Sequence, residues 1–227
     1  MLAAVRFVVR IAAWIAGTAA IAVVLGAGLG RLGAVAGIAF AIAASLWLWI
    51  WLPRTAHAAF EAGRYAPAAR RYRVLGALAG SHHRERASLL SRAGCHVAAG
   101  ELEAAERLLG TLGPDDLDVA ERAVWLNNRA CAALAAGRDP HAALALVEEA
   151  TALRPDVAAV QHTRGMALLA VGRIDDAIAV LDGMRAGGEL SPRLEADRCR
   201  ELARAWTQKG ETAYAEDYRM RADALHR

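Results

Sequence analysis

The 227 residues are 56% hydrophobic and carry a formal charge of +3, which is more apolar than an ordinary soluble domain. Arg6, Arg10 and Arg31 account for the whole of that charge, and residues 54–227 are balanced, with repeats that alternate in sign, where a nucleic-acid partner would want a clustered basic face. The three cysteines, Cys95, Cys131 and Cys199, form no CxxC pair, which argues against a disulfide framework or a metal module and for buried, reduced thiols.

The excess of apolar residues lies at the front. No Asp or Glu occurs before Glu61, and Ile11–Leu29 and Leu32–Leu52 are uncharged. As a helix the first run is about 28 Å long, enough to cross a bilayer core. The sequence Gly28–Gly33, GLGRLG, leaves room only for a tight turn. Residues 1–53 therefore read as two antiparallel spans, near 11–29 and 32–52. A cleaved signal peptide is the rival for the first run, with Gly26-Ala27-Gly28 as its cleavage site, but a second full-length run follows at once.

Basic residues set the expected orientation. Arg6 and Arg10 precede the first run, and Arg54, Arg64, Arg70, Arg71 and Arg73 follow the second, while the turn has Arg31 alone. The positive-inside rule places both ends in the cytoplasm. Trp14, Trp47, Trp49 and Trp51 fall at that same interface, where indole rings are favoured. The arginines after the second run either touch anionic headgroups or form a solvated helix face. The hairpin holds no carboxylate, histidine or lysine, so transport by this chain alone is not expected. Gly26/Gly30 and Gly33/Gly37 have the spacing for close helix contact, read as contact within the hairpin rather than dimerisation. Gly28, Gly30 and Gly33 also spell GxGxxG, but lack the strand and acidic residue of a nucleotide site.

The remainder repeats. Gly63, Gly100, Gly137, Gly172 and Gly210 are spaced by 37, 37, 35 and 38 residues. Seven residues before each stands Ala56, Ala93, Ala130, Gly165 or Ala203; five after stands Ala68, Ala105, Ala142, Ala177 or Ala215. A larger side chain follows in four units, Tyr72, Leu109, Val147 and Leu181, and Arg219 departs in the fifth. Small residues let two antiparallel helices approach, and the glycine provides the left-handed turn between them. Such self-similarity marks a helical solenoid.

These positions resemble the tetratricopeptide (TPR) repeats. Ala158–Leu190 matches best, through Gly165, Leu168, Gly172, Ile174, Ala177 and Leu181, with Pro155 just before it. The third unit fits with one residue inserted in GRDPHAA, and the first and fifth are weaker. The resemblance covers roughly residues 54–226. It implies a concave groove, lined by the first helix of each pair, that holds peptides or protein segments. In units three to five the register turns Asn127, Asn128, His162, Thr163, Arg200 and Arg204 toward it. The lysine-and-asparagine set that clamps a C-terminal carboxylate in some such domains is missing. Arg92, Arg129 and Arg164 each stand eight residues before a turn glycine. They read as a structural row paired with Glu103, Glu106 or Glu148, with a ligand-facing basic row as the alternative.

Nothing points to catalysis, a cofactor or a metal. The histidines show no HExxH spacing and no serine sits in GxSxG. His82-His83 begins a helix and reads as exposed. Asp115-Asp116 and Asp175-Asp176 read as charges at helix starts. The expectation is an all-α chain: a transmembrane helical hairpin (1–53), then a TPR-like α-solenoid of about five helix pairs (54–227) in the cytoplasm, as in a bacterial inner membrane. Such a protein is a membrane-anchored adaptor for protein or peptide segments, in contact with the bilayer through residues 1–53. The alternatives are a non-catalytic subunit of a membrane enzyme or transporter, and an outward-facing repeat protein of envelope or secretion assembly.

Overall fold

The computed structural model describes residues 2–225, with side chains from Ala16 onward except Thr18, Ala22, Leu25 and Leu29. The side chains of Arg6, Arg10 and Trp14, used above for orientation, lie outside the described set, as do His226 and Arg227. Every regular element among the described residues is helical. Helix α1 (Leu2–Leu46) is broken at Gly30, whose φ of 61° and ψ of −144° reverse the chain. A Cβ on Gly26 would stand 3.5 Å from that of Ala34, a contact impossible eight residues along a straight helix. Gly33 and Gly37 are buried. Gly26 therefore packs against Ala34 across the break.

Downstream of this turn the helix does not stop at Pro53. A widened turn over Trp47–Trp51, in which the Leu52 N–H reaches the Trp47 carbonyl, leads into α2 (Leu52–Glu61). Proline lacks an N–H and crowds the carbonyl four residues back, and a π-type turn relieves that conflict. The division at residues 53/54 thus falls inside one helical stretch, Gly30–Glu61. It is 32 residues long, its most apolar 18-residue window has a mean hydropathy of 2.1, and by length and composition it is the one described helix able to cross a membrane. Before the break, Ala19–Gly28 is apolar helix as well. Trp47, Trp49 and Trp51 are exposed around the widened turn.

Five antiparallel pairs follow: α2 with α3 (Tyr65–Ala77), α4 (His82–Ala98) with α5 (Leu102–Leu109), α6 (Val119–Ala135) with α7 (Pro140–Leu153), α8 (Ala158–Ala170) with α9 (Ile174–Gly183), and α10 (Pro192–Lys209) with α11 (Thr212–Ala224). Each pair turns at an expected glycine, with φ between 64° and 87°. At Gly172 its own N–H bonds to the Leu169 carbonyl at 3.1 Å and the Arg173 N–H to that of Leu168 at 2.9 Å. The other four turns repeat this two-bond cap, which satisfies carbonyls left over at a helix end. Gly172→Val places a β-branched residue in left-handed backbone, and its expected cost is about 1–3 kcal/mol. Gly187→Val is the control, since its Cβ meets nothing within 4 Å and its φ is not positive. Equal thermal melts of the two full-length variants would contradict this register.

The small positions are buried as the spacing requires: Ala56, Ala93, Ala130, Ala68, Ala105, Ala177 and Ala215 line the seams. Unit three corrects the pattern. Ala142 is exposed and Ala143 fills its place, because Asp139 caps α7 through the His141 N–H and Pro140 opens that helix, lengthening the turn by one residue. The core is continuous from unit two into unit four, with Leu90, Leu109, Trp125, Leu126, Val147 and Val160, and continues through Leu168, Leu181, Met184 and Leu202. Unit one packs alanines, Cys95, Phe60, Tyr65 and Tyr72 instead.

The first helices pack on one another, α4 on α6, α6 on α8 and α8 on α10, while the second helices make no comparable contacts among themselves. Closer spacing of the first helices curls the stack with that layer inside. The curl brings unit one to unit five: the Arg193 guanidinium lies 4.5 Å from the Phe60 ring and its Nε 3.6 Å from Glu61 Oε1.

Candidate binding groove

The six residues expected to line a groove fall into three places. Asn127 and His162 occupy the same position in α6 and α8, ten residues before their turn glycines. Asn127 Oδ1 and His162 Nε2 are buried atoms with no hydrogen-bond partner. Burial pushes the His162 pKa down, opposed by Glu201 and Asp197 and reinforced by Arg193. The ring is neutral at pH 7, so it can donate and accept. Arg193 also donates to Asp197 at 2.9 Å, and Glu61 Oε2 has no hydrogen-bond partner. His162 and these neighbours therefore form a polar lining on the inner layer, where unit five meets unit one.

Asn128 and Thr163 are corrections. One residue further round their helices, they are 8% and 2% exposed, and they do not face open space. The Asn128 amide donates to the Leu90 carbonyl at 2.9 Å, tying α6 to α4. Thr163 donates to the Ala159 carbonyl at 3.0 Å and touches Cys131 Sγ at 3.1 Å. Both hold neighbouring first helices together.

Arg200 and Arg204 lie at the C-terminal end. With Thr207, Gln208 and Arg219 they line an open hollow of about 470 Å³. Arg200 is paired with Asp197, and Arg204 donates to Glu201 at 2.8 Å. The arginine row is structural in its best-defined member: Arg164 Nε meets Glu148 at 3.0 Å. Arg129 stacks on Trp125, 4.6 Å from the ring, and Glu106 pairs with Arg138 rather than with the row. Burial lowers the pKa of Arg92, and Arg73 adds to the shift.

Sequence reasoning missed Arg198. It is 1% exposed and donates twice to Glu195 at 2.7 Å and once to the Leu181 carbonyl at 3.3 Å. It also missed the contact of His83 with Asp118 and Glu121. The sequence carries only a weak signal for Arg198: it stands four and seven residues before Leu202 and Ala205, on one helix face with them. The three cysteines are free, and burial raises the Cys95 thiol to about 11, so it is an inert packing group.

A pH effect follows from His162. Its folded pKa lies below its ordinary value of about 6.5, so the unfolded chain binds the extra proton first. Stability is fully present above pH 6.5 and falls as the pH drops toward the folded pKa. Melting of the full-length protein between pH 7.5 and 5.5 is expected to show this loss, and His162→Gln to remove part of it. An unchanged pH profile in the variant would show that the ring does not titrate as its surroundings require.

No protein-family model matches the chain, and no curated protein matches it. Solved structures do. MamA, recorded for MSR-1, is 18% identical over 78% of this chain and 95% of that chain, with a TM-score of 0.43. The kinesin light chain of Podosopora anserina, described by its nearly identical TPR-like repeats, is 22% identical over 77% of this chain and 92% of its own, with a TM-score of 0.48. A variant form of the latter gives 0.49 at the same identity and coverage.

Proposed function

We propose that this protein is a non-catalytic adaptor that holds an extended protein or peptide segment against the inner layer of its helix stack. One observation carries this reading. Asn127 Oδ1 and His162 Nε2 are buried, unpaired and in equivalent positions on adjacent first helices. A buried polar atom without a partner costs about 1–3 kcal/mol, and a peptide backbone offers both a donor and an acceptor to relieve it. An occupant either threads the space enclosed by the curl or displaces the Arg193–Glu61 contact. The repeats belong to the TPR type in this reading, on the strength of the five identical glycine turns and the small residues at the seams.

The anchor in this reading is a two-span hairpin, with both ends cytoplasmic and Arg31 on the far side. The reversal at Gly30 and the long apolar helix after it support the hairpin. A reporter active only in the cytoplasm, fused after Arg227 or inserted at Arg31, tests the orientation. Activity at Arg31 with none at the C-terminus would overturn it.

The groove is tested separately. A photocrosslinking residue is placed in the full-length chain at position 127, at 162, or at exposed Ala145 on α7, and the captured proteins are identified. Positions 127 and 162 should share products that position 145 lacks. The same products in the same yield from all three would rule out the inner layer as the binding face.

A further inference from the structure

His83 stands in the first turn of α4, one unit before Asp118 and Glu121, which open α6. Its Nδ1 lies 3.3 Å from Asp118 Oδ2 and 2.8 Å from Glu121 Oε1, and the three atoms are all within 4.8 Å of one another. Each carboxylate divides its two oxygens. Asp118 Oδ1 accepts the Glu121 N–H at 2.8 Å. Glu121 Oε2 accepts Arg86 Nε at 2.7 Å and the Asp118 N–H at 3.2 Å. These bonds form the cap of α6 and leave Asp118 Oδ2 and Glu121 Oε1 turned to the histidine. The Glu121 side chain is 3% exposed, and its Oε1 is a buried atom that accepts no hydrogen bond.

Two lone pairs at 2.8 Å repel, so either a proton or a cation must sit between imidazole and carboxylate. Zinc bonds of about 2.0–2.2 Å to nitrogen and oxygen bring neighbouring ligand atoms to roughly 3–3.5 Å of each other, close to the two distances found. An imidazole with two carboxylates suits a transition metal better than calcium or magnesium, which take oxygen ligands. Arg86 and the two capping bonds are the outer contacts that hold ligating carboxylates in place. We propose that His83, Asp118 and Glu121 form a three-ligand site for a divalent transition-metal cation such as Zn²⁺. The site bridges units two and three, so its occupation stabilises the stacked over the unstacked arrangement. A proton on His83 Nδ1, donated to the carboxylates without a metal, is the competing outcome.

Zinc chloride is titrated into the full-length protein in detergent micelles after removal of metal, and Co²⁺ absorption reports the ligand set. His83→Ala removes an exposed ligand. Asp118→Ser removes a carboxylate and keeps a capping oxygen, so the fold survives, as circular dichroism will check. His82→Ala is the neighbouring control, because His82 faces Glu85 at 3.9 Å. The wild type should bind one equivalent, with His82→Ala unchanged. His83→Ala and Asp118→Ser should each weaken binding about tenfold or more. The proposal is overturned if the wild type shows no saturable binding, or if either ligand variant loses less than that.

Discussion

Glu195→Ala is expected to cost about 3 kcal/mol, the lower end of the range for stripping a buried ion of its partner. Arg198 is fully enclosed, and two of its bonds go to Glu195. Asp182, 3.5 Å away and half-exposed, retains part of the compensation. The cation is the source of the loss, not the missing carboxylate. Adding Arg198→Met should therefore restore more than half of the lost stability, because a well-packed apolar replacement of both charges is often neutral. Chemical denaturation of the four proteins of this cycle measures the coupling. A double variant no more stable than Glu195→Ala would mean that Arg198 reaches water in the folded state.

Gly165→Val should be comparably damaging, at about 3 kcal/mol from overpacking. A Cβ at residue 165 would stand 2.6 Å from both Cγ and Cδ2 of Leu181. The clash is with the branch point of a fully buried side chain, which cannot swing aside. Leaving glycine gains up to about 1 kcal/mol of helix propensity, too little to offset it. Leu181→Ala alone leaves a cavity and costs about 2–5 kcal/mol. Combined, the new methyls occupy the vacated space, and the two changes should cost clearly less than their sum. Gly183→Val, where nothing lies within 4 Å, serves as the tolerant control. Strict additivity of the pair would show that α8 and α9 can separate without cost.

The repeat was legible because its signals are local. A turn glycine and two small residues at fixed distances are properties of one helix pair, and all five glycines take the left-handed backbone they were read for. What failed depended on the angle around a helix or on neighbouring units. Asn127 and Asn128 differ by about 100° of rotation, since 3.6 residues make a turn. That angle separates an unpaired atom on the inner layer from a bond that ties α6 to α4. Arg198 looks like any surface arginine in α10, a helix rich in charge, until α9 covers it. His83 meets Glu121 from 38 positions away, a distance that only the stacking of units closes. Pro53 misled in the other direction. Proline ends most helices, but the wider turn just before it lets this one continue.

That continuity fixes the mechanics of the anchor we propose. A flexible linker lets a tethered domain sample a volume that grows with linker length, and dilutes it accordingly. Here no residue between Gly30 and Glu61 leaves the helix, and Leu48 and Leu52 are already buried where it enters the stack. Arg84 of the second unit stacks on Trp49 at 4.6 Å, bracing the same junction. The long helix acts as a rigid mast rather than a leash. A change in its tilt swings the whole stack through the same angle, so that a segment held as we propose would be presented at one height and one bearing.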